Sequence, residues 1–223
     1  MQWVRKLCST MSSHSHSVYG RCSVMTYNIL LAGVGGQGLM LLSAVLGEAC
    51  VASGTQVVTQ EQHGLAQRSG SISAHVRIGE SYSPMIPYGM ADQIIAMEAT
   101  EALRYIEYLK IDGSVIMNTR LMHPVIETST IVNKRRENLP YITLEQITGQ
   151  LSKVTKNIKT IDANSIAAES GNPRTENIVL LGAASRTHGF PLSRDQLIEA
   201  VKKIVPERTI DANIKAFSLG EEA

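Results

Sequence analysis

The sequence has little of what most often announces a function. Aromatic side chains make up 4% of its 223 residues, too few for a row of stacking platforms that would hold nucleobases. Neither sign of charge dominates: 21 Lys and Arg stand against 20 Asp and Glu, a net charge of +1. A nucleic-acid partner or a membrane surface calls for a basic excess that this balance does not supply, so neither is expected. Long apolar runs are missing too. The best candidate, Leu39 to Ala52, is broken by Ser43, Gly47 and Glu48 and falls short of the roughly 18 residues a membrane span needs. It reads as a buried helix. Cysteine is scarce, at Cys8, Cys22 and Cys50, with no two at CxxC spacing. Structural zinc and iron–sulfur clusters take four ligands at tight spacings, so no metal site is expected. An odd count without a framework fits a reducing compartment, and the expected location is cytoplasmic.

Residues 1–25 carry a Ser/His repeat between Ser12 and Ser17, scattered Lys and Arg, and no acidic residue. They lack the apolar core of a secretory signal and read as a disordered N-terminal extension. Residues 26–223 read as one domain.

What is there points to an α/β protein. Tyr27–Ala32 is a short apolar run ending in glycine, as in a buried parallel strand. Leu39–Ala52 follows as a helix, with Gly54 just past its end. Gln56–Thr59 is a second strand. Ser71–Ile78 alternates, with Ile72, Ala74, Val76 and Ile78 on one face and Ser71, Ser73, His75 and Arg77 on the other. The period of two predicts a half-covered strand whose polar face meets solvent, a partner or a ligand. Gln93–Met97 is a strand, Thr100–Leu109 a helix, and Asp112-Gly113 a turn into the strand Ser114–Asn118. Thr130–Val132 reads as a short strand and Lys134–Glu137 as a solvated loop. Thr143 with Gln146 and Ser193 with Gln196 have capping-box spacing and open two helices. Asn157–Ile161 is a late strand. Helices are expected over Asn164–Ser170, from Pro173 to Thr187 and over Ile210–Phe217. Strands alternating with helices predict three layers, α/β/α, around a mostly parallel or mixed sheet, with a helix-rich C-terminal half.

The clearest local signal is Gly33-Val34-Gly35-Gly36-Gln37-Gly38. It holds G-x-G-x-x-G between a strand and a helix, the context in which the motif has meaning. Glycines allow a tight turn and close backbone approach, and a helix N-terminus offers free N–H groups and partial positive charge. Gly33, Gly35, Gly36, Gln37 and Gly38 are therefore candidate cofactor-binding residues. An acidic residue on a ribose would stand about 20 residues further on, and Glu61 comes near that place. Three readings remain open on these residues: an anion site, a dinucleotide fold, and a turn that merely packs helix against strand. The stretch from Glu61 to Gly70 is dense in polar groups and is expected on the same sheet edge. His63, Gln67 and Arg68 are its candidate functional residues, Arg68 being the best suited to grip an anion. No nucleophile elbow or metalloprotease spacing is present.

Taken in order, these segments resemble the gamma-type domain of 2-oxoacid:ferredoxin oxidoreductases. The resemblance rests on G-V-G-G-Q-G at 33–38 and E-Q-H-G-L-A-Q-R-S-G-S-I-S-A-H-V-R-I-G at 61–79. It continues with P-Y-G-M-A-D-Q-I-I-A-M-E-A-T-E-A-L-R at 87–104. It ends with Glu176-Asn177 and Leu181-Gly182-Ala183, then Asn213, Ala216-Phe217 and Gly220. It spans about residues 27–220. Within the family, the length and C-terminal motif are most similar to the small beta subunits of indolepyruvate-type enzymes. Pyruvate and branched-chain 2-oxoacid enzymes have similar subunits, and a stand-alone nucleotide-binding protein is the alternative outside the family.

The resemblance implies a reaction in which a 2-oxoacid, coenzyme A and oxidised ferredoxin give acyl-CoA, carbon dioxide and reduced ferredoxin. It implies a large alpha subunit as partner, in an α2β2 assembly, carrying the thiamine diphosphate, Mg and iron–sulfur clusters. This chain would then bind no cofactor alone, with coenzyme A as co-substrate and ferredoxin as the acceptor of the complex. Gly35, Gly36, Gln37 and Gly38 become a backbone anion cradle. His63, Gln67 and Arg68 become interface or substrate-side contacts.

Overall fold

A computed structural model describes residues 26–63, 70–122 and 142–223. The expected strand at Thr130–Val132 and loop at Lys134–Glu137 lie outside these residues. So does the N-terminal stretch 1–25.

Six strands form one sheet: β1 (Tyr27–Val34), β2 (Val57–His63), β3 (Ser71–Ile78), β4 (Ala91–Ala96), β5 (Leu109–Asn118) and β6 (Ile158–Ile161). Their order is β2-β3-β1-β4-β5-β6. The β1–β4, β4–β5 and β5–β6 pairs are parallel. β3 runs antiparallel to both β1 and β2, so the sheet is mixed. β2 leaves α1 (Leu39–Ala52) pointing the same way as β1, and β3 then turns back to fill the gap between them. Hence β2 and β3 form a hairpin, and the carboxyl ends of β1, β2, β4, β5 and β6 share one edge.

The remaining helices are α2 (Ala99–Arg104), α3 (Leu144–Leu151), α4 (Ala163–Glu169), α5 (Glu176–Ser185), α6 (Arg194–Ile204) and α7 (Ile210–Glu222). One face of the sheet packs Ile29, Leu31, Ala74, Val76, Ile95 and Ile116 against α1, α5, α6 and α7. The other packs Leu30, Ala32, Ile94, Ala96, Val115 and Met117 against α2 and α3. The alternation of neighbours along β1 between these clusters is the period of two at work, with both faces covered.

Local chemistry sets several boundaries. Thr143 and Ser193 each close a complete capping box, with Gln146 and Gln196, and so start α3 and α6 where expected. Ser53 caps α1 and Gly54 follows at φ 69°, the left-handed stop that only glycine takes at little cost. Between α5 and α7 the backbones nearly touch. A Cβ on Gly182 would lie 2.2 Å from the Phe217 carbonyl oxygen, and one on Gly220 2.0 Å from that of Val179. The L-L-G-A and A-F-x-x-G segments are thus the two halves of one helix crossing.

Three expectations change. The polar face of β3 does not look outward: Ser73 and His75 are fully buried. The His75 Nδ1 accepts the Ile86 N–H at 3.2 Å, its ring meets Tyr108 edge-on at 5.4 Å, and Arg77 donates to Asn28 and to the Ser83 and Met85 carbonyls. A cover from residues 79–90, joined by Tyr108 and Asn28, provides these partners, which no local pattern reveals. Asp112-Gly113 does not precede β5 but lies inside it. The strand begins at Leu109, and Asp112 adopts φ 61° where the β4–β5 register shifts. The helix expected to reach Leu109 stops at Arg104, since a 3-10 turn over Ile106–Tyr108 intervenes.

Candidate functional site

The glycine-rich turn leaves β1 at the carboxyl edge, between β3 and β4. Here α1 leads toward β2 and α2 leads toward β5, so successive connections diverge. Crevices at such a reversal are where open α/β sheets bind ligands. In a continuing parallel ladder the bond after Met97 N–H to Ala32 C=O (2.8 Å) would join Val34 N–H to Met97 C=O. Instead the Gln37 carboxamide is interposed. Its Oε1 accepts the Val34 N–H at 2.7 Å and its Nε2 donates to the Met97 carbonyl at 3.4 Å. Gly33 makes room for it, because a Cβ there would sit 2.8 Å from the Gln37 Oε1 and 2.7 Å from Leu39.

Each remaining residue of the motif has its own constraint. Gly35 donates its N–H to the Gly70 carbonyl at 3.0 Å, tying the turn to the start of β3. Gly36 is exposed at φ 96°, with no atom within 4 Å of its would-be Cβ, so only its backbone demands glycine. Gly38 has φ 78°, and a Cβ would collide with the Asn177 Nδ2 at 2.5 Å. That same nitrogen donates to the Gly38 carbonyl. Gly38 caps α1 without any side-chain acceptor. The first amides of α1, at Leu39, Met40 and Leu41, therefore have no partner within the helix.

β2 extends further than the sequence suggests, so Glu61 and His63 are strand residues rather than loop residues. They alternate onto one face, where the His63 Nε2 lies 3.5 Å from a Glu61 carboxylate oxygen and the imidazole is half-exposed. Glu61 pairs opposite Ala74, on the edge strand and two strands away from the glycine turn, which is no place for a ribose acid. Gln67 and Arg68 lie outside the described residues. Gly70, the first described residue after them, touches the turn through Gly35.

A polar network at the same edge escaped the sequence reading. Glu98, nearly fully buried, caps α2 through the Glu101 N–H at 3.0 Å and also accepts the Met122 N–H at 2.9 Å. Glu101, also buried, takes the Arg104 guanidinium at 3.1 Å and the Ser71 hydroxyl. Asn118, at the end of β5, accepts from Ala163 N–H and donates to Asn164 and Glu176, and Glu176 pairs with Arg120 at 3.3 Å. These groups stitch four strand ends to the mouths of α2, α4 and α5. Glu176-Asn177 was visible as a motif. The roles of Asn118 and Glu98 were not, because each depends on segments brought together from across the chain.

The arrangement offers backbone donors to an anion at the turn, within a rigid polar rim. Among the described residues no three His, Cys, Asp or Glu side chains could share a metal ion. No helix among those residues is long and apolar enough to cross a membrane.

Comparison with known proteins fits this geometry. Indolepyruvate oxidoreductase subunit IorB of Thermococcus kodakarensis is 42% identical over 199 residues, covering 88% of this chain and 95% of that one. The 2-oxoglutarate synthase subunit KorC of Methanothermobacter marburgensis is 28% identical, over 89% and 96% of the two chains. The gamma subunit of a keto/oxoacid ferredoxin oxidoreductase from Geobacter sulfurreducens superposes with a TM-score of 0.64 at 25% identity, over 88% of this chain and 96% of that one. The model of the pyruvate ferredoxin/flavodoxin oxidoreductase family matches residues 28–223, and the chain belongs to that family.

Proposed function

We propose that this chain is the small subunit of an indolepyruvate oxidoreductase. Paired with a large alpha subunit, it serves the oxidative decarboxylation of an aryl 2-oxoacid to its acyl-CoA, with ferredoxin as electron acceptor. The observation that carries the reading is the much higher identity to an indolepyruvate subunit than to a 2-oxoglutarate subunit, at nearly equal coverage. A pyruvate or branched-chain substrate, or a stand-alone nucleotide-binding role, is not favoured by it.

On this reading the thiamine diphosphate, Mg and iron–sulfur clusters reside on the alpha subunit, in an α2β2 complex. Bound there, those groups would supply the decarboxylation and one-electron chemistry. This chain supplies binding and walls. The amides at Gly36, Gly38 and the first turn of α1 fit a phosphate of coenzyme A. The exposed, unobstructed position of Gly36 and the uncapped helix end support that assignment. His63, Gln67 and Arg68 would serve as interface or substrate-side contacts.

The test is a pull-down of the full chain from its native extract, followed by an assay of coenzyme A-dependent dye reduction with indolepyruvate, pyruvate and a branched 2-oxoacid. A large thiamine and iron–sulfur partner with preferred turnover of indolepyruvate is the expected result. The same partner preferring another acid would remove the substrate assignment and keep the family. A folded bait that recovers no such partner would remove the subunit role.

A further inference from the structure

A cavity of about 650 Å³ opens at the opposite edge of the sheet. It lies under the C-terminal end of α5, between the starts of β4, β5 and β6. Nothing in the proposed reaction uses it, since that chemistry belongs to the carboxyl edge. Its wall is rich in cations: Lys110, Lys156, Lys159 and Arg186, with His188 beside them. Lys110 is paired with Asp92. Asp112 is the other acid in the wall, which leaves Lys156, Lys159 and Arg186 facing a single carboxylate. Without counting His188, the cavity wall carries an excess of two positive charges. None of those three cations has an ion-pair partner among the described residues.

Two of these positions have a simpler use. Arg186 and His188 follow the end of α5, where cations complement the helix dipole. That accounts for neither Lys156 nor Lys159, which come from the β6 side. It also leaves Ser114 unexplained. Ser114 lines the cavity and is 6% exposed, yet its hydroxyl has no hydrogen-bond partner. Its neighbour across the β4–β5 ladder, Gln93, is fully buried and donates to the Ala184 carbonyl and the Thr187 hydroxyl, while its Oε1 is also unpartnered. A buried hydroxyl without an acceptor costs on the order of 1–3 kcal/mol. Such a group in a cation-lined wall marks a place where an acceptor arrives.

We infer that this cavity binds the dianionic phosphate of a small molecule, with Lys159 and Arg186 as the charged grips and the Ser114 hydroxyl donating to a phosphate oxygen. The excess of two charges matches a phosphate dianion. The volume lies within the range of small-molecule sites and has room for an organic body against Tyr27, Ile116 and Ile158. The site is separate from the glycine turn, because the two occupy opposite ends of the strands.

The test is a ligand-observed NMR titration of the full chain with inorganic phosphate, adenosine 5′-monophosphate and adenosine. Saturable binding of the two phosphates, without binding of adenosine, is expected. The double variant Lys159→Ala/Arg186→Ala should weaken both by about tenfold or more, as should the exposed charge reversal Lys156→Glu, while melting temperatures certify the fold. Binding by the cavity should persist in Gly36→Asp, which disables the anion cradle proposed at the other edge. Tighter binding of the nucleotide would assign the site to phosphorylated metabolites, and equal binding would assign it to free phosphate. Either keeps the inference. No saturable binding, or binding abolished by Gly36→Asp and untouched by the lysine and arginine variants, overturns it. The latter result would move the anion to the glycine turn and leave the proposed function standing.

Discussion

At the scale of single residues, the glycines of the turn answer to different forces and so should fail differently. Gly36 meets no neighbouring atom, and only its φ of 96° excludes a side chain. Gly36→Ala should therefore cost about 1–3 kcal/mol through backbone strain alone. Gly38→Ala adds a collision with Asn177 and should cost more, as paired denaturant melts would show. Gly36→Asp also sets a carboxylate in front of the α1 amides. In the assembled enzyme it should raise the KM for coenzyme A about tenfold or more while kcat changes little. An unchanged KM would take the turn out of coenzyme A binding.

His75 gives a pH dependence. Burial, and then the Arg77 charge, hold its pKa below the ordinary value of 6.5. The folded chain keeps this imidazole neutral at pH values where the unfolded chain protonates it. Protons then favour unfolding, so the contribution is complete above pH 6.5 and declines as the pH falls toward the lowered folded-state value. Melting temperature measured against pH should fall across that window, and His75→Gln should flatten the fall. Cys50 is another residue shifted by its surroundings. Fully buried, with its thiol pushed up to about 11 by burial, it should resist alkylation in the native chain and label only on unfolding.

At the scale of elements, Gly220 and Gly182 hold the α5–α7 crossing at backbone contact. Gly220→Val should force these helices apart. Overpacking typically costs 1–3 kcal/mol, which for a chain of this size lowers the melting temperature by roughly 2–12 °C. Calorimetry would check it, and an unchanged melt would show that the crossing yields freely. Elements governed by neighbours in sequence were legible. The capping boxes at Thr143 and Ser193 start their helices on the spot, and the period of two along Ser71–Ile78 marks β3. Partners distant in sequence were not legible. The cover over His75 comes from residues 79–90, the filling of the β1–β2 gap by β3 is a pairing choice, and Asp112 bends a strand that already began at Leu109. The candidate site divides the same way. The glycine turn is a local signal, whereas Asn118 acquires meaning only when β6, α4 and α5 arrive beside it.

At the scale of the whole molecule, the sheet separates two chemistries. Its carboxyl edge gathers the glycine turn, Gly70 and the network around Asn118 and Glu176. Its amino edge gathers Lys156, Lys159 and Arg186, which have no ion-pair partner among the described residues, around Ser114. On the proposed reading the chain supplies surfaces and its alpha partner the reaction centre. Purified alone it should reduce no dye with indolepyruvate and coenzyme A, and turnover should appear on adding the alpha subunit. Activity of the isolated chain would contradict the subunit reading.

β2 stands at one margin of the sheet, and among the described residues nothing pairs with its outer side. Its sequence, V-V-T-Q-E-Q-H, holds one acidic residue and no lysine or proline, the usual guards against strand recruitment. The outward amides and carbonyls of Val57 to His63 are thus an adhesive rim. Chain made in excess of its partner would tend to pair edge to edge with its own copies, so balanced production of the two subunits is a condition of keeping this one dispersed.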